Sequence, residues 1–447
     1  MRTTILAELK EDPDVQVSEE MLRNCVHCGF CNATCPTYLL TGNELEGPRG
    51  RIYLIKSMLE GRIEPSRQTV AHIDSCMGCL ACETTCPSSV AYRHLLEDAR
   101  PRLDRMQSRA LGDRLLRLLL THLLPYRGRF KLAMRLTALG KMCGPLLPKR
   151  MRNLLSMAPA RLPEPAREAR PGISPAVGVK RMRVALLTGC VQQVLGPQIN
   201  DATVRLLNRL GAEVVIPKEM GCCGALTYHM GERDHSMGLM RRNIEVWHQE
   251  ITGDGLDAIV LNTSGCGTVV REYDHIFRND PAIADKASAV AKKVRDVSEV
   301  VAELGLATFL ADSQDRKGAG AFGGGNSAVK VAYHDACSLQ HGQRVKEAPR
   351  ELLATAGFEV VEVSEGHICC GSAGTYNMLE PEMAAQLGER KAAAVEKTAA
   401  DVVAAGNIGC MEQIGAGVTI PVVHTVELLD WATGGPCPQG LQRGGSA

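Results

Sequence analysis

A chain of 447 residues, 45% apolar and 23% charged, reads as globular protein of about three domains at roughly 150 residues each, and neither as a fibre nor as a disordered chain. A formal net charge of +1 and an aromatic content of 4% exclude a uniformly basic nucleic-acid binder with base-stacking surfaces. The 18 cysteines, about 4% of the chain, are too dilute for a small disulfide scaffold, and they are clustered.

Residues 1–12 hold no apolar core and no small-residue cleavage site, so no secretory signal is expected. The expected compartment is the cytoplasm, where thiols stay reduced and grouped cysteines bind metal or carry redox chemistry. The first group is Cys25-x2-Cys28-x2-Cys31-x3-Cys35-Pro36, and it returns as Cys76-x2-Cys79-x2-Cys82-x3-Cys86-Pro87. In this run three thiolates of a tight loop meet three irons of one [4Fe–4S] cube, and the departing chain carries the fourth to the neighbouring cube. The expected ligand sets are Cys25, Cys28, Cys31 and Cys86 for one cluster, and Cys35, Cys76, Cys79 and Cys82 for the other. Two structural zinc sites are the competing assignment, but zinc usually joins two separate cysteine knuckles, which a run of four closed by proline fits poorly. The 40 residues between Cys35 and Cys76 exceed a compact ferredoxin and suggest a helical insertion. Ile52, Ile55 and Leu59 predict a helix over 45–61, stopped at Gly61.

Residues 100–152 read as helical and carry 14 Lys or Arg against Asp104 and Asp113, a net of +12, which leaves −11 for the rest of the chain. The most apolar run, 115–124, is about half the ~20 residues of a spanning helix and is interrupted by Arg117 and His122, so no transmembrane helix is expected. Three roles compete for this segment: a solvated helical face, a surface lying on anionic lipid through its leucines, and a dock for an acidic face of a partner. Pro159, Pro163, Pro165, Pro171 and Pro175 then mark a stiff linker.

Beyond it, apolar strands near 183–189, 213–217 and 257–262 alternate with a helix over 200–210, predicting an α/β fold with a parallel sheet. The same order returns with strands near 329–333, 358–363 and 400–406 and a helix over 349–356, an internal repeat offset by 147 residues. Each copy carries a Cys-Cys-Gly triplet 31 residues after an upstream cysteine: Cys190 with Cys222 and Cys223, then Cys337 with Cys369 and Cys370. A fourth cysteine follows in each, Cys266 and Cys410. Buried structural cysteine does not account for two such triplets in register. The sets follow strand ends, where open α/β sheets place their sites, so each half is expected to hold a further redox or cluster site, between the halves or at its own sheet edge. The triplet glycines are expected to let backbone approach a cluster. The division is thus 1–100 ferredoxin, 101–180 basic segment and linker, 181–310 first cysteine-rich domain, 311–328 Gly-rich linker, 329–435 second cysteine-rich domain, and 436–447 tail. The string Gly318-Ala-Gly-Ala-Phe-Gly323 lacks the preceding strand of a dinucleotide loop, and no FAD or NAD site is expected on this chain. Cys143 and Cys437 read as spare thiols. His229, His334, His341 and His367 lie near the triplets, where proton delivery is one role and ordinary packing the commoner one.

The segments Cys25-Val-His-Cys-Gly-Phe-Cys-Asn-Ala-Thr-Cys-Pro-Thr-Tyr, Gly47-Pro-Arg-Gly-Arg-Ile-Tyr-Leu-Ile-Lys and Cys82-Glu-Thr-Thr-Cys-Pro-Ser resemble the iron–sulfur subunits of bacterial glycolate oxidase (glycolate dehydrogenase). The two later halves look like the cysteine-rich domains shared with heterodisulfide reductase, a lactate-utilisation protein and an anaerobic glycerol-3-phosphate dehydrogenase subunit. The resemblance implies an α-helical two-cluster ferredoxin domain beside two cysteine-rich domains. It also implies a cytoplasmic subunit, peripheral at the inner membrane, that takes electrons from a flavoprotein oxidising glycolate and passes them to a quinone. The catalytic residues are then on that partner. The alternatives are the equivalent subunit for lactate or glycerol 3-phosphate, or a heterodisulfide-reductase-like enzyme. One departure is visible. The closing Cys-x-x-Cys of those domains has Thr263 in one copy and Asn407 in the other, leaving four cysteines per set.

Overall fold

The computed structural model describes residues 1–142, 155, 158, 159, 161–312 and 328–442. Cys143, the end of the basic segment, nearly all of the Gly-rich linker with its Gly-x-Gly-x-x-Gly string, and residues 443–447 lie outside the described residues.

Six helices build the N-terminal part: α1 (Pro13–Asn24), α2 (Pro36–Thr41), α3 (Pro48–Leu59), α4 (Arg67–Asp74), α5 (Ala81–Thr85) and α6 (Tyr92–Met106). Proline opens α1, α2 and α3, where its missing N–H costs nothing. The expected helix over 45–61 is α3, shortened to start at Pro48 and followed by Gly61 at φ +69°. Its Ile52, Ile55 and Leu59 are buried against Leu22, Ile73 and Leu95. The basic segment continues as α7 (Leu111–Leu123) and α8 (Arg127–Met142). Leu116 and Leu120 of α7 pack on Phe130, Val194 and Met230.

Two parallel sheets follow. The first has the order β1-β3-β2-β4-β5, with β1 (Gly172–Ser174) antiparallel and β2 (Met182–Leu187), β3 (Ala212–Ile216), β4 (Ala258–Leu261) and β5 (Val294–Asp296) parallel. The second has the order β7-β6-β8-β9, built from β6 (Lys330–His334), β7 (Glu359–Glu362), β8 (Val402–Ala405) and β9 (Val422–His424). Four strands share one order in both copies, so the sequence repeat is a repeat of topology. β1 comes from the end of the proline-rich stretch, which pairs along Val214–Ile216. The halves share one apolar core. Across their seam Ser264 and Ser338 hydroxyls meet at 2.7 Å, Gln343 donates to Ser264 O (2.9 Å), and Arg205 and Arg209 bind the buried Asp430.

The N-terminal part docks on the first half through charge. Arg233 and Arg278 bind Asp14 (2.5 and 2.6 Å), Arg93 binds Glu272 (3.0 Å), and His94 stacks on His275 at 3.6 Å. In this seam burial, opposed by His94 and reinforced by Glu272, pushes Glu97 up to about 7 from 4.5. The folded chain thus prefers the neutral acid, and the stability it contributes is present below pH 4.5 and lost as pH rises through about 7. Glu97→Gln, which stays neutral, is expected to melt several degrees above the parent at pH 8 and to match it near pH 5. A pH-independent difference in thermal melts would contradict this linkage.

Candidate metal centres

The two ferredoxin loops share one backbone path. The residue two after the first cysteine has positive φ in each (His27 +60°, Gly78 +65°), as does the residue after the second (Gly29 +89°, Leu80 +63°). A left-handed, buried leucine is strained by about 1–3 kcal/mol and persists only where its surroundings dictate it. This path turns the thiols of each loop inward. Cys25, Cys28, Cys31 and Cys86 line one cleft with Pro48, Ile52 and Tyr92. Cys79 and Cys82 lie beside Cys35 and Cys76, and burial, reinforced at Cys79 by Cys369 and Cys35 and at Cys82 by Cys79 and Cys76, pushes Cys79 and Cys82 far up. The fourth thiol of each run therefore sits with the opposite loop. The donor chemistry fits iron–sulfur clusters: four soft cysteine sulfurs per site.

The sites differ in access. Cys28 is exposed, and Val26, Phe30 (64% exposed) and Tyr53 stand in the open on residues of that loop and of α3. The second quartet is enclosed. Arg51, fully buried, donates from Nε to His72 O (2.6 Å) and from Nη2 to Glu46 (2.8 Å), Thr37 (3.1 Å) and Ser75 (2.9 Å), while Nη1 lies 4.0 Å from Cys35 Sγ. The loop carrying Cys76 is clamped by Arg100 Nη2 to Cys76 O (2.5 Å) and by Tyr376 OH to Ser75 O (3.0 Å). Thr84 Oγ1 meets His341 Nδ1 at 2.8 Å, and Cys79 with Ala81 packs against Cys369.

Both Cys-Cys-Gly sets assemble at the carboxyl ends of their own sheet, and the two remain separate. Cys190 follows β2, Cys222 and Cys223 follow β3, and Cys266 lies in the helix Ser264–Arg271 after β4; Cys337, Cys369, Cys370 and Cys410 repeat this after β6, β7 and β8. Cys222 Sγ is 3.5 Å from Cys190 Sγ, and Cys337 Sγ is 3.6 Å from Cys369 Sγ. In the first set hydrogen bonds from Cys222 and Cys266 pull Cys223 well down, and in the second those from Cys337 and Cys370 pull Cys369 well down. The conformation of the triplet glycines has a packing reason of its own. Gly224 and Gly371 adopt φ +80° and +90°, and a Cβ on Gly371 would stand 2.6 Å from Ala384 O of the adjoining helix.

Beside the second set lies His334, the last residue of β6, which the cysteine spacing does not single out. Its ring nitrogen lies within 4.8 Å of both Cys370 Sγ and Cys410 Sγ. Of the other histidines near the triplets, His229 and His367 are exposed, and His341 is tied to Thr84. The Cys437 thiol donates to Pro438 O (3.7 Å), away from both sets.

Residues 21–90 match the family described as "4Fe-4S dicluster domain", and residues 184–271 and 331–415 match "Cysteine-rich domain". The chain is 38% identical over 432 residues to the glycolate oxidase iron–sulfur subunit of Escherichia coli (strain K12), covering 97% of this chain and 99% of that one. It is 33% identical to the probable glycolate oxidase iron–sulfur subunit of Bacillus subtilis (strain 168), over 96% of this chain and 98% of the other. Lactate utilization protein A of Bacillus licheniformis is 31% identical over 56% of this chain and 99% of its own length. A crystal structure of a hypothetical protein from Helicobacter pylori shares the fold, with a TM-score of 0.54 at 12% identity over 97% of this chain and 77% of that one.

Removing the Arg51 cation strands the buried Glu46 carboxylate and withdraws positive charge from Cys35. Arg51→Met is expected to lose about 3 kcal/mol of stability. In redox titration it should move one cluster midpoint to lower potential and leave the other in place. Arg51→Lys should keep most of the potential. Unshifted midpoints in Arg51→Met would remove the electrostatic role.

Proposed function

This chain belongs to the family of glycolate oxidase iron–sulfur subunits, and we propose that it carries electrons from a flavoprotein oxidising glycolate to glyoxylate toward a quinone at the membrane. Oxidation of a 2-hydroxy acid delivers two electrons to the flavin, and iron–sulfur clusters accept them one at a time. Cys25, Cys28, Cys31 and Cys86 would hold one [4Fe–4S] cluster, and Cys35, Cys76, Cys79 and Cys82 the other. The observation that carries this reading is the graded access of the two quartets. The first opens to solvent at Cys28 and the second packs on Cys369, so the sites run from the surface inward. Phe30, Val26 and Tyr53 supply the apolar contact through which the flavoprotein seats beside the first cluster. Glycolate is favoured over lactate because the likeness to the glycolate oxidase subunits runs the whole chain, whereas the lactate-utilisation relative matches 56% of it.

The membrane end of the reading rests on α7 and α8. Leu111, Leu115, Leu118, Leu119, Leu132 and Leu136 are exposed there, interleaved with exposed Arg114, Arg127 and Arg135. Among the described residues no helix is long and apolar enough to cross a membrane. An apolar face with a basic fringe suits the surface of anionic lipid, where a quinone is within reach.

The complex of this chain with its flavoprotein, purified anaerobically, should reduce a dye with glycolate and bleach its visible clusters. Phe30→Glu should slow glycolate-driven cluster reduction about tenfold at unchanged iron content, and equal stopped-flow rates would remove this port. The full chain should sediment with phosphatidylglycerol vesicles at low salt, and Leu115→Glu with Leu119→Glu should abolish that binding. Sedimentation of parent and variant alike would refute the lipid-facing role.

A further inference from the structure

Given the reading that the Cys-Cys-Gly sets hold clusters, the geometry points to His334 as a nitrogen ligand of an iron–sulfur cluster at the second set, beside Cys337, Cys369, Cys370 and Cys410. His334 ends β6, 1% exposed, and both ring nitrogens are buried with no hydrogen-bond partner. Such a ring has lost its water and gained nothing, an arrangement native proteins avoid unless a further group satisfies it. Soft sulfur atoms stand close by: its ring nitrogen and the Sγ atoms of Cys370 and Cys410 lie within 4.8 Å of one another. Three converging donors of that kind define a coordination site. Imidazole joins thiolate on iron without strain to either chemistry.

The duplicated half supplies the internal control. His334 stands three residues before Cys337, at the end of β6; the equivalent residue before Cys190, at the end of β2, is Leu187. The first set has no counterpart to this donor, although its four cysteines are placed alike. Asn407 does not supply the missing ligand either. Its Oδ1 accepts from Gly409 N (2.9 Å) and its Nδ2 donates to Ser264 Oγ (3.0 Å), so it caps a helix and joins the halves. A neutral imidazole adds no negative charge where a thiolate would, so it holds a cluster at a higher potential than a cysteine in the same place. The second set adjoins Cys79 and is the one next to the ferredoxin part.

The test uses the full chain purified anaerobically, with iron analysis and pulsed EPR of the reduced protein, made with natural and with 15N-labelled histidine. The expected result is clearly more than about eight irons per chain. A strong 14N coupling should also appear, converting to a 15N pattern in the labelled protein. His334→Leu, which installs the residue of the first copy, should lose this coupling together with about four irons. His334→Cys should keep the iron, lose the coupling and lower the potential of that cluster. About eight irons in the parent would overturn both this assignment and the cluster reading beneath it. More than eight irons with no histidine coupling, or a coupling that survives both variants, would overturn the histidine assignment alone.

Discussion

Buried thiols brought to a common point cannot all ionise. Two thiolates 3.5 Å apart, the separation of Cys190 and Cys222, repel by about 5 kcal/mol even at an effective dielectric of ~20, against a total stability of about 5–15 kcal/mol for a domain. The ferredoxin part gathers such groups for two clusters, whose iron balances them. The left-handed Leu80 is tolerable there because a cluster repays the strain of gathering its ligands. In this respect the ferredoxin loops and the Cys-Cys-Gly sets answer one problem in two ways. The loops gather three thiols locally and borrow one, whereas the sheets gather one or two from each of three strand ends.

The uneven charge of the sequence has a spatial explanation. Several arginines of the basic segment are consumed internally. Arg102 binds Asp12 and Asp98 (2.7 Å each), Arg117 binds Asp74 (3.2 Å) and Asp113 (3.1 Å), and Arg109 joins Asp74 to Asp104. Part of the +12 is therefore the positive half of a seam whose acids come from α1, α4 and α6. What is left uncompensated, on the outer face of α7 and on α8, coincides with the exposed leucines. Segregation along the chain thus overstates the free charge and still locates it.

How much of this was legible depends on whether the signal was local. Cysteine spacing fixes which thiols share a loop, and the repeat offset predicted matched sheets; both rest on short-range pattern. The strands β5 and β9 went unseen because three residues carry no periodicity, and they form only where a helix returns the chain to an edge already present. The triplet glycines are visible in the sequence; their positive φ and the approach of a neighbouring helix are not, because these depend on partners far along the chain. His334 was noticed only as a histidine near cysteines. Its two unpartnered nitrogens belong to the packing of a whole strand end, which no window of sequence contains.

Duplication made the two halves alike, and the ferredoxin part makes them unequal. It meets the first half through ions: Asp14 with Arg233 and Arg278, and Arg93 with Glu272. It meets the second through neutral contact beside the enclosed quartet: Tyr376 on Ser75 O, Thr84 with His341, and Cys79 against Cys369. Ion pairs fix a subdomain in position and orientation, whereas close-packed neutral contact brings side chains of two parts together. The division is physical: the first half anchors the ferredoxin part by charge, and the second packs against its inner quartet.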